Sequence, residues 1–80
     1  LVVHGDADRA VTPDSGEFTA MYWASVNGCG EALSDTTPPP CKRYAGCPSD
    51  APVVWCLVPG LGHTVWDKGA TEGWAFMKGL

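Results

Sequence analysis

The run Pro52-Val53-Val54-Trp55-Cys56-Leu57-Val58 constrains the fold more than any other part of the chain. It is β-branched, aromatic and nearly all apolar, with no alternation of polar residues. That pattern predicts a strand buried on both faces, which needs a layer of structure on each side. A second apolar run, Leu1-Val2-Val3-His4, predicts another short strand. Between them Pro13, Asp14 and Ser15 carry helix-start chemistry, with Glu17 in the first turn. Phe18, Met21, Tyr22 and Ser25/Val26 then recur at helical spacing, and Asn27-Gly28 closes the helix. From about Asp67 to Leu80, Ala70, Trp74 and Met77 predict a closing helix, weakened by Gly69, Gly73 and Gly79. Two apolar strands joined through a helix predict parallel neighbours with a right-handed crossover. The expected fold class is therefore α/β, with a mostly parallel sheet.

The four cysteines stand at positions 29, 41, 47 and 56. None forms a C-x-x-C pair, and neither His4 nor His63 completes a ligand pattern with one, so no metal site is expected. Two disulfides in an oxidising compartment fit better, and the chain is expected to be secreted. Residues 30–40 read as a linker, since three consecutive prolines permit no regular element except an extended polyproline piece. Cys41 to Tyr44 predict a short strand, and Gly46 to Pro52 are turn-rich. Four cysteines allow three connectivities. If residues 41–45 and 53–57 pair as an antiparallel hairpin, Cys41 or its neighbour faces Cys56, which leaves Cys29 with Cys47. A Cys41–Cys47 bridge would need a sharp bend across Arg43-Tyr44.

The formal net charge of −4 argues against nucleic acid and anionic membranes as partners. The longest apolar run is far short of the roughly 20 residues that a membrane span needs. With 45% hydrophobic residues the chain is not disordered. Four tryptophans in 80 residues want more packing surface than so short a chain provides. Together with the apolar strand at the very first residue, this leads to the expectation that residues 1–80 are one portion of a larger domain, with the N-terminal part of that domain as the missing partner.

In α/β sheets, functional groups gather where loops leave the carboxyl ends of strands. The first strand runs into Asp6 and Asp8, and the strong strand runs into His63. If both loops open on one edge, a carboxylate and an imidazole can meet. A hydrolytic triad uses such a pair: the histidine is the general base, and a buried carboxylate fixes its tautomer and stabilises the imidazolium.

The residues around them carry a resemblance. His4-Gly5-Asp6-Ala7-Asp8-Arg9-Ala10-Val11 resembles the H-G-x-x-D-x-x-V segment that bears the triad acid in α/β hydrolases. Gly60-Leu61-Gly62-His63-Thr64 resembles the G-x-G-H segment that bears their histidine, in the acid-before-histidine order of that fold. The intervening Trp23, Asn27-Gly28-Cys29, Tyr44-Ala45-Gly46-Cys47 and Pro52-Val53-Val54-Trp55-Cys56 are similar to the feruloyl esterases and polyhydroxybutyrate-depolymerase-like esterases. The resemblance implies Asp8 as the acid and His63 as the base. It agrees with pairing Cys29–Cys47 and Cys41–Cys56. It also implies that residues 1–80 are the C-terminal portion of a single α/β-hydrolase domain, comprising its last strands and helices with a disulfide-bonded insert hairpin.

Each residue also has a plainer reading. Asp8 could be a turn carboxylate bonding its own backbone, and His63 a solvated loop residue. Asp6 is a rival acid, better read as capping the turn. His4 reads as a buried, hydrogen-bonded structural residue. Trp66 is either an edge of the substrate cleft or packing for the closing helix. Trp23, Trp55 and Trp74 read as core or helix–sheet contacts. Ser15, Ser25, Ser34 and Ser49 all lie outside any Gly-x-Ser-x-Gly context, so the nucleophile and oxyanion hole are expected elsewhere. The resulting expectation is a secreted serine carboxylesterase acting on ester-bearing plant polysaccharides, with feruloyl esters preferred. It needs no cofactor, and this chain alone would be inactive. Acetylxylan esterase and polyhydroxybutyrate depolymerase are alternatives of the same type. A non-catalytic, disulfide-stapled carbohydrate-binding module is the alternative of another class.

Overall fold

The apolar run around Trp55 forms one of the two inner strands of a four-stranded sheet in the computed structural model, which describes residues 1–80. In chain order the elements are β1 (Val2–Gly5), α1 (Pro13–Val26), β2 (Leu33–Asp35), β3 (Lys42–Tyr44), β4 (Val54–Val58) and α2 (Gly69–Lys78). The strand order is β1-β4-β3-β2. β1 and β4 run parallel, with Val2 opposite Trp55 and Gly5 opposite Val58. The other two pairings are antiparallel: Lys42 opposite Trp55, and Leu33 opposite Tyr44.

This corrects the expected fold class. The sheet is mixed, with one parallel and two antiparallel pairings, and is not the mostly parallel slice of an α/β-hydrolase domain. The antiparallel β3–β4 pairing already makes the sheet mixed, and residues 30–40 add a second antiparallel pairing. Leu33 to Asp35 form a strand, and the proline run turns the chain back, with Cys41 N–H donating to Pro38 O at 3.0 Å and Thr36 N–H to Cys41 O at 3.1 Å. The Thr37–Pro38 and Pro39–Pro40 bonds are cis. Strands joined by so short a turn must be antiparallel. The prolines are therefore a hairpin turn instead of an extended linker.

Side chains alternate across β4 as the strand period requires. Val53 and Trp55 pack with Tyr44, Ala20 and Ala24 on the α1 face, with Val2 and Leu57 against them. Cys56 and Val58 pack with Cys41 and Trp66 on the other face, with Leu1, Val3 and Val54 against them. β4 is thus covered on both sides, as its composition predicts. Residues of α2, among them Ala75 and Phe76, share a cleft with Leu1 and Val54 on this second face.

α1 seats on the sheet through Gly16, Ala20 and Ala24, spaced four apart. A Cβ on Gly16 would stand 2.7 Å from His4 Nδ1 and 2.8 Å from the Trp55 ring. Small residues let the helix approach closely, so its large residues turn outward. Phe18, Met21, Tyr22 and Val26 are all more than half exposed. α2 buries no residue fully. The expected packing roles therefore divide: Trp55 is core, whereas Trp23 is 49% and Trp74 68% exposed.

The disulfides are Cys29–Cys47 and Cys41–Cys56, and no cysteine is free. Cys29–Cys47 ties the end of α1 to the loop after β3. Cys41–Cys56 crosses from the hairpin to β4 and is fully buried. Two disulfides are consistent with an extracellular protein. No helix is long and apolar enough to cross a membrane.

Candidate active site

Because β1 and β4 are parallel neighbours, their carboxyl ends lie side by side and release two loops at the same edge. Backbone bonds fasten these loops together. Asp6 N–H donates to Val58 O and Ala7 N–H to Leu61 O, each at 3.0 Å. The Asp6 carboxylate accepts the Gly60 N–H at 2.7 Å. Gly60 has φ +73°, a left-handed conformation that favours glycine and turns the chain out of β4. At Gly5 the contact is closer still, since an added Cβ would fall 2.0 Å from Leu61 O.

The first loop wraps around Asp8. Its Oδ1 accepts the N–H groups of Ala10 at 3.0 Å and Val11 at 2.9 Å, a side-chain-to-backbone turn typical of aspartate. Its Oδ2 lies 3.0 Å from His63 Nδ1. Asp8 is the one charged residue in the buried set, at 8% exposure. The Val11 N–H holds its carboxyl below the usual carboxylate range, helped by the His63 and Ala10 N–H groups and opposed by burial. The plain turn-carboxylate reading and the partner-of-histidine reading thus describe two oxygens of one group.

An ionised carboxylate can only accept, so the proton between the two side chains belongs to His63 Nδ1. Neutral His63 then carries its lone pair on Nε2. The His63 side chain is 64% exposed while Asp8 is enclosed. The arrangement places a free imidazole lone pair at an open surface and fixes the other nitrogen from behind, the geometry a general base requires. No group of three or more His, Cys, Asp or Glu residues is arranged to hold a metal ion.

His63 and Asp8 share a cleft of about 660 Å³ with Val11, Leu61, Val65 and Trp66. No serine lines it. Trp66 packs its ring with Cys56 and Val58 in the core and offers the cleft a 7%-exposed surface. The apolar side chain freely available there is Val65, 83% exposed, which the sequence reading passes over. Asp6 bonds across to the histidine loop and does not touch His63. His4, read as structural, is hydrogen-bonded as expected, with Nε2 2.8 Å from Val11 O. The same nitrogen lies 3.3 Å from Asp8 Oδ2, a contact the sequence signals only through the i, i+4 spacing.

No family model, curated protein or solved structure matches the chain.

Proposed function

We propose that Asp8 and His63 are the acid and general base of a serine-type carboxylic ester hydrolase, with the nucleophile supplied by a polypeptide segment other than residues 1–80. The observation that carries this reading is the bond from His63 Nδ1 to a buried Asp8 carboxylate, which leaves Nε2 open to the cleft. In this scheme Nε2 takes the proton from the attacking hydroxyl and later returns one to the leaving alcohol. Asp8 holds the ring and stabilises the imidazolium between those events. No serine lines the cleft, so this reading assigns the nucleophile to another segment. The exposed apolar residues of α1 give such a segment a surface to cover.

The substrate class rests on the sequence motifs. The H-G-x-x-D and G-x-G-H segments and the cysteine frame between them resemble feruloyl esterases, and we assign plant cell-wall esters, feruloyl esters first, as the substrate and the extracellular space as the location. Acetylxylan and polyhydroxybutyrate esters are the next substrates to test. The exposure of Trp23 and Trp74 favours a second reading, a carbohydrate-binding module. However, Trp23 belongs to the helix on one face of the sheet and Trp74 to the helix on the other, so the two do not form one stacking platform.

The test uses the longer secreted polypeptide that joins this segment to its nucleophile, assayed on methyl ferulate. Asp8→Asn is expected to lower turnover by about 10⁴, the scale seen when a triad acid is neutralised in place. His63→Ala is expected to abolish detectable turnover. Near-normal rates in both variants would sink the assignment. The 80-residue chain by itself is expected to leave methyl ferulate intact.

A further inference from the structure

The carboxylate that faces His63 has a second imidazole against it. His4 Nε2 lies 2.8 Å from Val11 O and 3.3 Å from Asp8 Oδ2. A carbonyl oxygen only accepts, so this nitrogen carries its proton. That N–H is bonded to the carbonyl, and the carboxylate stands beside it as a close electrostatic contact. Val11 closes the circuit, because its own N–H donates to the other carboxylate oxygen at 2.9 Å. Asp8 is thus gripped through Oδ1 by the loop backbone and steadied at Oδ2 by the ring of His4.

The ring itself has little freedom. Its side chain is 11% exposed. The backbone of Gly16 lies so near that a Cβ there would reach within 2.9 Å of the His4 Cβ and 2.7 Å of Nδ1, with the Trp55 ring closing the same space. His63, in contrast, is mostly exposed, and its one side-chain hydrogen bond is to Oδ2. The direction of that oxygen decides where the His63 ring points. The ionisable groups around His4 are Asp8 and His63 from the two loops and Asp14 from the first turn of α1.

We infer that His4 is a positioning residue for the Asp8–His63 pair: its Nε2–H, bonded to Val11 O and held by the close approach of Gly16, stands against Oδ2 and sets the direction in which the carboxylate faces His63. This rests on the acid–base reading of the pair and adds a third side chain to it. An apolar ring in its place would fill the volume but leave Oδ2 steered by His63 alone.

The experiment is imidazole ¹⁵N–¹H NMR on the oxidised 80-residue chain. In the unmodified protein, His63 is expected as the Nδ1–H tautomer with a slowly exchanging downfield proton. His4→Phe keeps the ring volume and is expected to lose that proton signal and shift His63 toward the Nε2–H tautomer. His4→Gln, which retains an N–H donor, is expected to restore part of it. A folded His4→Phe chain with an unchanged His63 tautomer overturns the inference. Should the variants fail to fold, the unmodified chain decides: the Asp8 carboxyl ¹³C shift must follow the titration of His4 as well as that of His63. A trace that follows His63 alone overturns the role of His4. If His63 in the unmodified chain bonds nothing through Nδ1, the acid–base reading itself fails, which is a different outcome from either.

Discussion

The two ends of the sheet are held together by different means. At the β1–β4 end, hydrogen bonds and close backbone contacts fasten two loops, and neither disulfide joins those loops; Cys41–Cys56 reaches only the middle of β4. At the β4–β3–β2 end, strands of three to five residues are tied by two covalent bridges. Strands that short, exposed along β2, bury little apolar surface, so the bridges supply what packing does not. On the proposed acid–base reading, the loop end needs the opposite property. A base must stand in the open with its lone pair free, and only its rear can be fixed. A polar clamp achieves that without filling the cleft. The difference teaches that the covalent ties and the proposed chemistry are set at different places on one sheet only four strands wide.

The largest expected effect breaks the covalent end. Chain-entropy arguments put each bridge at about 3 kcal/mol and slightly favour the wider loop. The separations are 18 residues for Cys29–Cys47 and 15 for Cys41–Cys56, so entropy alone ranks the first marginally higher. Burial ranks them the other way. Cys41 and Cys56 are fully enclosed, and serines there would bury two hydroxyls in an apolar cluster with Val58 and Trp66. Denaturant unfolding of the two double-serine variants is expected to show the larger loss for Cys41/Cys56. The reverse order would mean that loop closure outweighs packing at this end.

The loop end breaks at Gly5. Adding a methyl there drives a Cβ into Leu61 O, a backbone atom that cannot swing aside. Gly5→Ala is expected to cost about 1–3 kcal/mol, the range for forced overpacking, and to part His63 from Asp8. The check is unfolding together with the His63 Nδ1 proton signal. A variant that keeps both stability and signal would show the loops to be less tightly joined than they stand here.

Much of this division was legible in the residues, and the failures have physical causes. The β4 run announced a strand covered on both faces, and its antiparallel pairing with residues 42–44 followed from the cysteines and the turn-rich stretch between. Asp8 and His63 could be paired because each follows an apolar strand. The three prolines misled: they exclude a helix and an inner strand, but backbone bonds from Cys41 N–H to Pro38 O and from Thr36 N–H to Cys41 O close them into a hairpin turn. That turn adds β2 to a sheet already mixed by the antiparallel β3–β4 pairing. On α1 Phe18, Met21, Tyr22 and Val26 recur at helical spacing, and Gly16, Ala20 and Ala24 have a similar period; it is these small residues that pack inward, where they let the helix reach His4 and Trp55. Periodicity identifies a helix, but two stripes with equal spacing leave its rotation open. The contact of His4 with Asp8 depends on how the loop closes, which no spacing rule states.

A smaller effect separates the ends by pH. Asp8 has its carboxyl lowered by the Val11 N–H, with the His63 and Ala10 N–H groups adding to this. In the acid range the unfolded chain therefore binds more protons than the folded one, and stability rises with pH there. The contribution is complete above about pH 4, near the unfolded carboxyl pKa, and is lost as pH falls through the lower folded value. Asp8→Asn is expected to flatten this acid limb. The limb is expected to persist in the Cys29/Cys47 double-serine variant, because the bridge does not titrate. An Asp8→Asn curve with an unaltered acid limb would assign the pH dependence to other carboxylates.

The smallest effect concerns Asp6, whose carboxylate accepts the Gly60 N–H in an exposed position. Solvent competes for such a bond, and Asp6 N–H and Ala7 N–H hold the loops independently. Asp6→Ala is therefore expected to leave the melting temperature nearly unchanged while speeding hydrogen exchange at the Gly60 amide. Asp6→Asn keeps an accepting oxygen and is expected to retain most of the protection. Equal exchange in all three proteins would show that the backbone ties alone fasten the histidine loop. If Asp6→Ala also weakens the His63 Nδ1 proton signal, the clamp reaches the base itself. The loop end would then depend on side-chain bonds at both of its acidic residues, while the hairpin end depends on sulfur.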